Sequence, residues 1–292
     1  MSVLFSAIAA GGCTSTGDKA IDPPREALFR EEGAVYSVRL GQFEIYLLVD
    51  SARGGNAGIL INAEDAVSKY IPQSGFNHST NAVLLKTPEG NILIDTAFGA
   101  GVSEGLRKIG LENEHIDAIL ITHLHGDHIG WLQRDGKAIF PNASIYISEK
   151  ELEYFTVTNV NQGAVTALAP YSGKVNTFNP GRLGENGNEL FRGITPIAAY
   201  GHTPGHTIYL LESGGEKFLV IGDLLHVALV QFPVPEISAT YDMDPAASGV
   251  LRRQVLDYAA KNNVLVGGMH MVYPGIGSVE ADGTGFRFIP GE

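Results

Sequence analysis

Thr122-His123-Leu124-His125-Gly126-Asp127-His128-Ile129-Gly130 is the stretch on which the reading of this chain turns. Three His and one Asp fall within six residues, directly after the apolar run Ala118-Ile119-Leu120-Ile121. The pattern predicts a loop leaving a buried strand. In an extended stretch, His123 and His125 project to the same side. Gly126 lets the chain turn, so Asp127 and His128 can close on the same point. Neutral imidazoles and carboxylates suit a borderline divalent cation.

Further groups repeat the arrangement. Gly201-His202-Thr203-Pro204-Gly205-His206 follows an apolar stretch, Gly222-Asp223 follows Phe218-Leu219-Val220-Ile221, and Met269-His270 follows Val264-Leu265-Val266. Each places a ligand type at the end of a strand, where loops on a rigid scaffold carry function. Five His and two Asp are too many for one tetrahedral site. They suit two metals sharing a bridging carboxylate, for which Asp223 is the natural candidate.

On these residues the sequence resembles the metallo-β-lactamase-fold hydrolases. The carriers are His123-x-His125-x-Asp127-His128, then His202, Asp223 and His270, in that order. Within that superfamily it looks most like methyl parathion hydrolase and its lactonase-like relatives. Gly201 to His206, Gly222 to Ala228, Val230-Gln231-Phe232 and the tail Tyr273 to Gly277 and Gly285 to Pro290 carry that closer likeness. The resemblance implies an α/β fold, the αββα sandwich of the metallo-β-lactamase type. It also implies that His123, His125 and His202 hold one metal, that Asp127, His128 and His270 hold the other, and that Asp223 bridges. Asp95 becomes a supporting residue near the site. Zinc is the first choice of metal, with manganese, cobalt or iron as alternatives. The relatives imply a homodimer.

Composition sets bounds. The chain has 292 residues, 44% of them apolar, enough for a sizeable core. Formal net charge is -12, which disfavours nucleic acid as a partner. No apolar run reaches the ~20 residues of a spanning helix. The one cysteine, Cys13, excludes an intrachain disulfide. It ends the apolar run Leu4 to Gly12, like the end of a bacterial lipoprotein signal, although no Lys or Arg precedes that run. Read as a signal, residues 1–32 make the protein periplasmic, secreted or lipid-anchored. Read as a leader without that role, they leave it cytoplasmic. Residues 33–292 are expected to form a single metallo-hydrolase domain.

Along the chain, Ala34 to Leu40 and Phe43 to Val49 read as strands, and residues 51–80 as an irregular flap facing the substrate. Asn81 to Lys86 and Asn91 to Ile94 form a hairpin around Pro88-Glu89-Gly90. Val102, Leu106 and Ile109 have helical spacing, with Gly110 as the stop. Ser144 to Ile147 is a strand, and a helix follows from Ser148. Residues 157–190 show little pattern beyond a short helix near Ala164 to Leu168. Asp244-Pro245 opens a helix that Asn262-Asn263 ends.

Several residues have competing readings. Thr122 and His206 would orient ligands. His226, three residues after Asp223, stands where the better-known lactonases carry a Tyr near the substrate carbonyl. It either donates a hydrogen bond to a substrate oxygen or packs beside the site. Phe98, Phe155, Phe232 and Tyr273 are candidates to line an apolar pocket. Trp131 reads as core, His115 as surface, and His78 as surface or pocket rim.

Asp127, Asp223 and His226 are therefore the candidate catalytic residues. The expected chemistry is attack by a bridging hydroxide on small-molecule lactones, aryl esters or organophosphate triesters. No Gly-x-Ser-x-Gly elbow offers a serine nucleophile. The alternatives are a β-lactam or thioester hydrolase on the same fold, or a metal-binding protein without hydrolytic function.

Overall fold

The computed structural model describes residues 33–185 and 187–291. The reading of the leader and of Cys13 lies outside the described residues. Two sheets lie face to face. The first contains β1 (Val35–Leu40), β2 (Phe43–Gly54), β3 (Asn77–Thr87), β4 (Gly90–Ile94) and β5 (Ala118–Leu120). After a small separate ribbon, β6 (Gln133–Arg134) and β7 (Lys137–Ala138), it is completed by β8 (Ser144–Ser148) and β9 (Val175–Phe178). The second contains β10 (Ile194–Ala198), β11 (Thr207–Ser213), β12 (Glu216–Val220), β13 (Leu265–Gly267), β14 (Ile276–Asp282) and β15 (Gly285–Pro290), in chain order.

Strand alternation builds three layers of core. Leu47, Val83, Leu85 and Ile94 of the first sheet meet Tyr209, Leu211, Phe218 and Val220 of the second in the middle layer. Their neighbours Leu48, Ala82, Leu84 and Leu93 point the other way, onto the helices outside the first sheet. Ile208, Leu210 and Leu219 likewise point onto the helix Pro245–Asn262 outside the second sheet. Strands covered on both faces need continuous apolar runs, which is why these segments do not alternate polar and apolar. Burying each such side chain contributes roughly 1.5–3 kcal/mol, so a one-residue slip that swaps faces is strongly penalised.

The helix Pro245–Asn262 has the expected ends. Asp244 Oδ1 accepts the amide of Ala247 at 3.0 Å, Pro245 takes the first turn, and Asn263 closes it at φ +52°. No described helix is long and apolar enough to cross a membrane.

The parallel pairs position the site. β4 runs parallel to β5, and β12 parallel to β13. Parallel neighbours end at the same edge, so the loops leaving these four strands gather along one rim of the sandwich. Asp95, His123, Asp223 and His270 all lie on those loops.

Two segments differ from the sequence reading. Residues 51–80 are not irregular: β2 runs on to Gly54, a helix spans Glu64–Tyr70, and β3 begins at Asn77. Within 157–190, the strand β9 pairs in parallel with β8. β9 is a half-exposed edge strand of four residues, too short to show a period.

Candidate metal centre

Seven side chains from five segments converge. His123 and His125 lie in the turn after β5, and Asp127 and His128 on the short helix Gly126–Ile129. His202 sits between β10 and β11, Asp223 in the turn Gly222–Leu224 after β12, and His270 after β13. Gly222 adopts φ +52°, and a Cβ there would stand 2.5 Å from His206 Nε2. Glycine is therefore required for the turn that aims Asp223.

The donors form two groups with Asp223 between them. His123 Nε2 and His125 Nδ1 are 3.0 Å apart, and His202 Nε2 is 3.1 Å from the first and 3.0 Å from the second. Asp223 Oδ2 lies 3.6 Å from His123 Nε2 and 3.3 Å from His202 Nε2. On the other side, Asp223 Oδ1 is 3.1 Å from His128 Nε2 and 3.2 Å from His270 Nε2, while Asp127 Oδ2 is 3.3 Å from His270 Nε2. Donors at 2.0–2.1 Å from a tetrahedral zinc ion stand about 3.3 Å apart, close to these spacings. His128 Nε2 and Asp223 Oδ1 are buried and make no hydrogen bond of proper geometry. Such orphaned polar atoms are costly unless a ligand satisfies them. The donor set fits two divalent cations, one in each group.

The outer nitrogens of the converging rings are held as metal-binding imidazoles would need. His128 Nδ1 donates to Asp95 Oδ2 at 2.7 Å, and the same carboxylate accepts the Thr122 amide at 2.8 Å and hydroxyl at 2.6 Å. His270 Nδ1 donates to the Ser79 carbonyl at 3.1 Å. His206 Nδ1 donates to the Ala199 carbonyl at 2.9 Å, which leaves Nε2 to accept the amide of Asp223 at 3.0 Å. His206 thus positions the Asp223 backbone and is not itself among the converging donors. Asp95 adopts φ +57°, a strained conformation for a non-glycine residue at the rim of a site.

Three supports were absent from the sequence reading. Asp242 Oδ1 accepts from His202 Nδ1 at 2.9 Å, and buried Arg252 holds the same carboxylate at 3.4 Å. Glu151, fully buried, accepts the Leu124 amide at 2.9 Å, the Thr203 hydroxyl at 2.7 Å and the Gly205 amide at 2.9 Å. It ties the His123–His128 loop to the His202 loop. Asn81 Nδ2 donates to the carbonyls of Gly268 at 3.1 Å and Met271 at 2.8 Å, fixing the turn that carries His270.

Charge follows geometry. Burial, reinforced by neighbouring His, holds His123 well below its usual pKa and His125 down to about 4. Burial also opposes the charged forms of His128 and His270. There the carboxylates outweigh it, Asp223 foremost, lifting His128 well above the ordinary value and His270 to about 10. The half of the site beside Asp127 and Asp223 therefore attracts positive charge strongly.

A cavity of ≈ 670 Å³ opens onto these groups, with His125, Asp127, His202, Asp223 and His270 on its inner wall. Its outer walls include Arg53, Asn56, Ile59 and Phe76, so the 51–80 segment does reach it. Of the four aromatics expected to line a pocket, Phe98 is on the wall, exposed and with its amide held by Asp50. The other three are corrected. Phe155 is buried behind His125, edge-on at 5.8 Å between centroids, in the core outside the first sheet. Phe232 stacks on Phe288 at 5.3 Å under the second sheet. Tyr273 packs edge-on against Tyr36 at 5.7 Å, against the middle layer. In each case apolar burial outcompetes exposure to the cavity.

His226 lines the cavity with Nε2 3.2 Å from Asp223 Oδ2, while its Nδ1 is buried without a hydrogen bond. His78 stacks on His270 at 4.7 Å on the same wall. Trp131 packs against the core and donates to Ser103 Oγ at 2.8 Å, and His115 caps an exposed turn at the Glu112 amide.

A model of the metallo-beta-lactamase superfamily matches residues 75–270, the segment that carries all seven converging side chains. The chain belongs to the metallo-beta-lactamase superfamily. Among solved structures, it is similar to hydrolase AbOPH in the beta lactamase superfamily (29% identity, 90% of this chain and 99% of the other, TM-score 0.79). It is also similar to AidC, a dizinc quorum-quenching lactonase in complex with a product, N-hexanoyl-L-homoserine (25% identity, 88% and 97%, TM-score 0.77). Among curated proteins, it is 29% identical to the uncharacterized protein YobT of Bacillus subtilis (strain 168), over 49% of this chain and 60% of that protein. It is 27% identical to an N-acyl homoserine lactonase of Bacillus sp, over 44% of this chain and 57% of that enzyme. The chain thus spans less than two thirds of these curated relatives. The superfamily's fold and a His/Asp cluster suited to a metal centre are present together.

Proposed function

We propose that this chain is a dinuclear metal-dependent hydrolase whose substrates are lactones and esters with an apolar portion. The observation that carries the reading is the cavity whose wall includes five of the seven converging side chains, His125, Asp127, His202, Asp223 and His270. A substrate entering it meets the reactive centre with no further rearrangement. Zinc is the first choice of metal: the donors are imidazole and carboxylate, and the similar lactonase AidC is a dizinc enzyme. When bound, two such cations supply a water acidified to near-neutral pKa and polarise an electrophilic oxygen.

The chain's own residues do the rest. Asp223 spans both donor groups, one oxygen toward each, and would be shared by the two cations. Asp127 contributes a carboxylate at the cavity surface, placed to accept a proton as the attacking water forms its bond. His226 stands against Asp223 with its Nε2 toward the centre, placed to donate to a substrate oxygen where the better-known lactonases carry Tyr. Phe76, Phe98 and Ile59 offer the apolar wall for an acyl chain or aryl group.

Aryl phosphotriesters are the second reading, favoured by that aromatic wall. A panel of acyl-homoserine lactone, aryl acetate, dialkyl aryl phosphotriester, thioester and β-lactam, run on protein of measured metal content, tests both. Fastest turnover of lactone or aryl acetate is expected. A thioester or β-lactam preferred by orders of magnitude overturns the substrate class, and a metal-loaded protein inert to the whole panel overturns the hydrolase reading.

A further inference from the structure

The outer wall of the cavity carries a charge that the metal centre does not use. Arg53 is the one Lys or Arg among the described residues that line it. It lies near the end of β2, directly opposite His78 of β3. Residues directly opposite in an antiparallel pair put their side chains on the same face of the sheet. The His78 ring stacks on His270 at 4.7 Å, so Arg53 rises from the face that borders the metal centre.

Asn56 follows on the same wall. Its Oδ1 accepts the Gly58 amide at 2.9 Å, which aims the side chain and leaves its NH2 group without a protein acceptor among the described residues. The Arg53 guanidinium has no carboxylate or carbonyl partner among them either. Elsewhere on the surface Arg39, Lys217, Arg253 and Arg287 each pair with a Glu. The chain has 32 acidic residues against 20 basic ones, so carboxylates are not scarce. The apolar side chains of Ile59, Phe76 and Phe98 line the same cavity as this pair of donors and the metal centre.

We propose that Arg53 and Asn56 form a subsite for a carboxylate carried by the substrate away from its scissile bond. The inference deepens the hydrolase reading and rests on it. It names the substrate class as esters or lactones with an anionic arm joined to the reacting carbonyl by an apolar spacer. The planar guanidinium offers paired N–H donors that match a carboxylate, and the Asn56 amide adds a third direction. Neither replaces any metal ligand.

The test compares two substrates of nearly equal shape, the mono-p-nitrophenyl ester of adipic acid and the p-nitrophenyl methyl diester of the same acid. Wild type, R53Q, R53K and N56A are assayed at matched metal content. Wild type is expected to prefer the anionic ester by about five- to tenfold in kcat/KM at low salt, expressed in KM. The preference shrinks at high ionic strength. The ratio between the two substrates falls to near one in R53Q and is partly kept in R53K, a split that a merely structural role for Arg53 would not produce. A ratio unchanged in R53Q, or a wild-type preference for the diester, overturns the subsite. Turnover of the diester reports separately on the hydrolase reading. If the metal-loaded protein cleaves neither ester, that reading fails and the subsite is decided by calorimetric binding of adipic acid monoamide. Weaker binding to R53Q than to wild type upholds the subsite, and equal binding overturns it.

Discussion

Replacing Glu151 by Gln tests whether the two metal loops are held as one unit. Glu151 Oε1 accepts the Leu124 amide at 2.9 Å, and Oε2 accepts both the Thr203 hydroxyl at 2.7 Å and the Gly205 amide at 2.9 Å. A glutamine keeps the shape but has one acceptor oxygen. If that oxygen serves Thr203 and Gly205, its NH2 group faces the Leu124 N–H, and a buried donor is left unsatisfied. Losing one hydrogen bond to a charged group costs about 1.5–3 kcal/mol. In a domain of this size each kcal/mol moves Tm by about 2–4 °C, so a fall of roughly 3–12 °C is expected. The larger effect should fall on metal. Leu124 lies between His123 and His125, and Thr203 follows His202. Loosening those amides misaligns three imidazoles, and supporting residues of this kind typically govern about 10–100-fold in affinity. Competition with a calibrated chelator measures the affinity, and thermal melts with and without metal measure the stability. A Glu151→Gln variant that matches wild type in both would refute the coupling drawn between the loops. One that melts lower yet binds metal equally well would make Glu151 a stabiliser of the fold alone.

Other residues give distinct signatures. Phe98→Ala should raise KM for substrates with an aryl or long acyl group and leave Tm nearly unchanged, because the ring is exposed on the cavity wall. Phe232→Ala should do the reverse, costing about 3–5 kcal/mol of stability from a packed core; kinetic and melting data on the pair separate wall from core. Tyr171 donates to the Leu132 carbonyl at 2.8 Å and accepts the Phe140 amide at 3.2 Å, and burial lifts its hydroxyl from 10 to about 12. A raised folded-state pKa contributes stability that is complete below pH 10 and lost as pH rises through 12. Denaturant titrations across that range should show a shallower alkaline loss in Tyr171→Phe than in wild type, and parallel losses in the two would contradict the assignment.

The sequence made the converging donors legible because chemistry and local structure coincide there. His123, His125, Asp127 and His128 follow a buried strand within six residues, and a cluster of that kind has few other uses. His202, Asp223 and His270 could be added because each also follows an apolar run. Glu151 was not legible. It sits in Glu149-Lys150-Glu151, which reads as a solvated first turn of a helix, and only contacts 27 to 54 residues away bury it. Asp242 was hidden likewise, in a polar loop whose partner His202 lies 40 residues earlier. The aromatic pocket was misread for a different reason. Phe155, Phe232 and Tyr273 are near the motifs in sequence, but an apolar ring near a site serves a core layer as readily as a cavity wall. Which of the two it does is set by packing between elements, and local pattern does not carry that information. The 51–80 segment reaches the cavity as expected, yet its helix and strand extension were masked by Gly54, Gly55, Gly58 and Pro72.

The central claim is a two-metal hydrolytic centre organised by Asp223. Its most direct test measures metal per chain and ester or lactone hydrolysis together, on wild type and Asp223→Ala of equal fold by circular dichroism. Two metals per chain and hydrolysis are expected in wild type, with both lost or reduced together in the variant. Full metal content with undiminished turnover in Asp223→Ala, or a wild-type protein that saturates at a single metal, would contradict it.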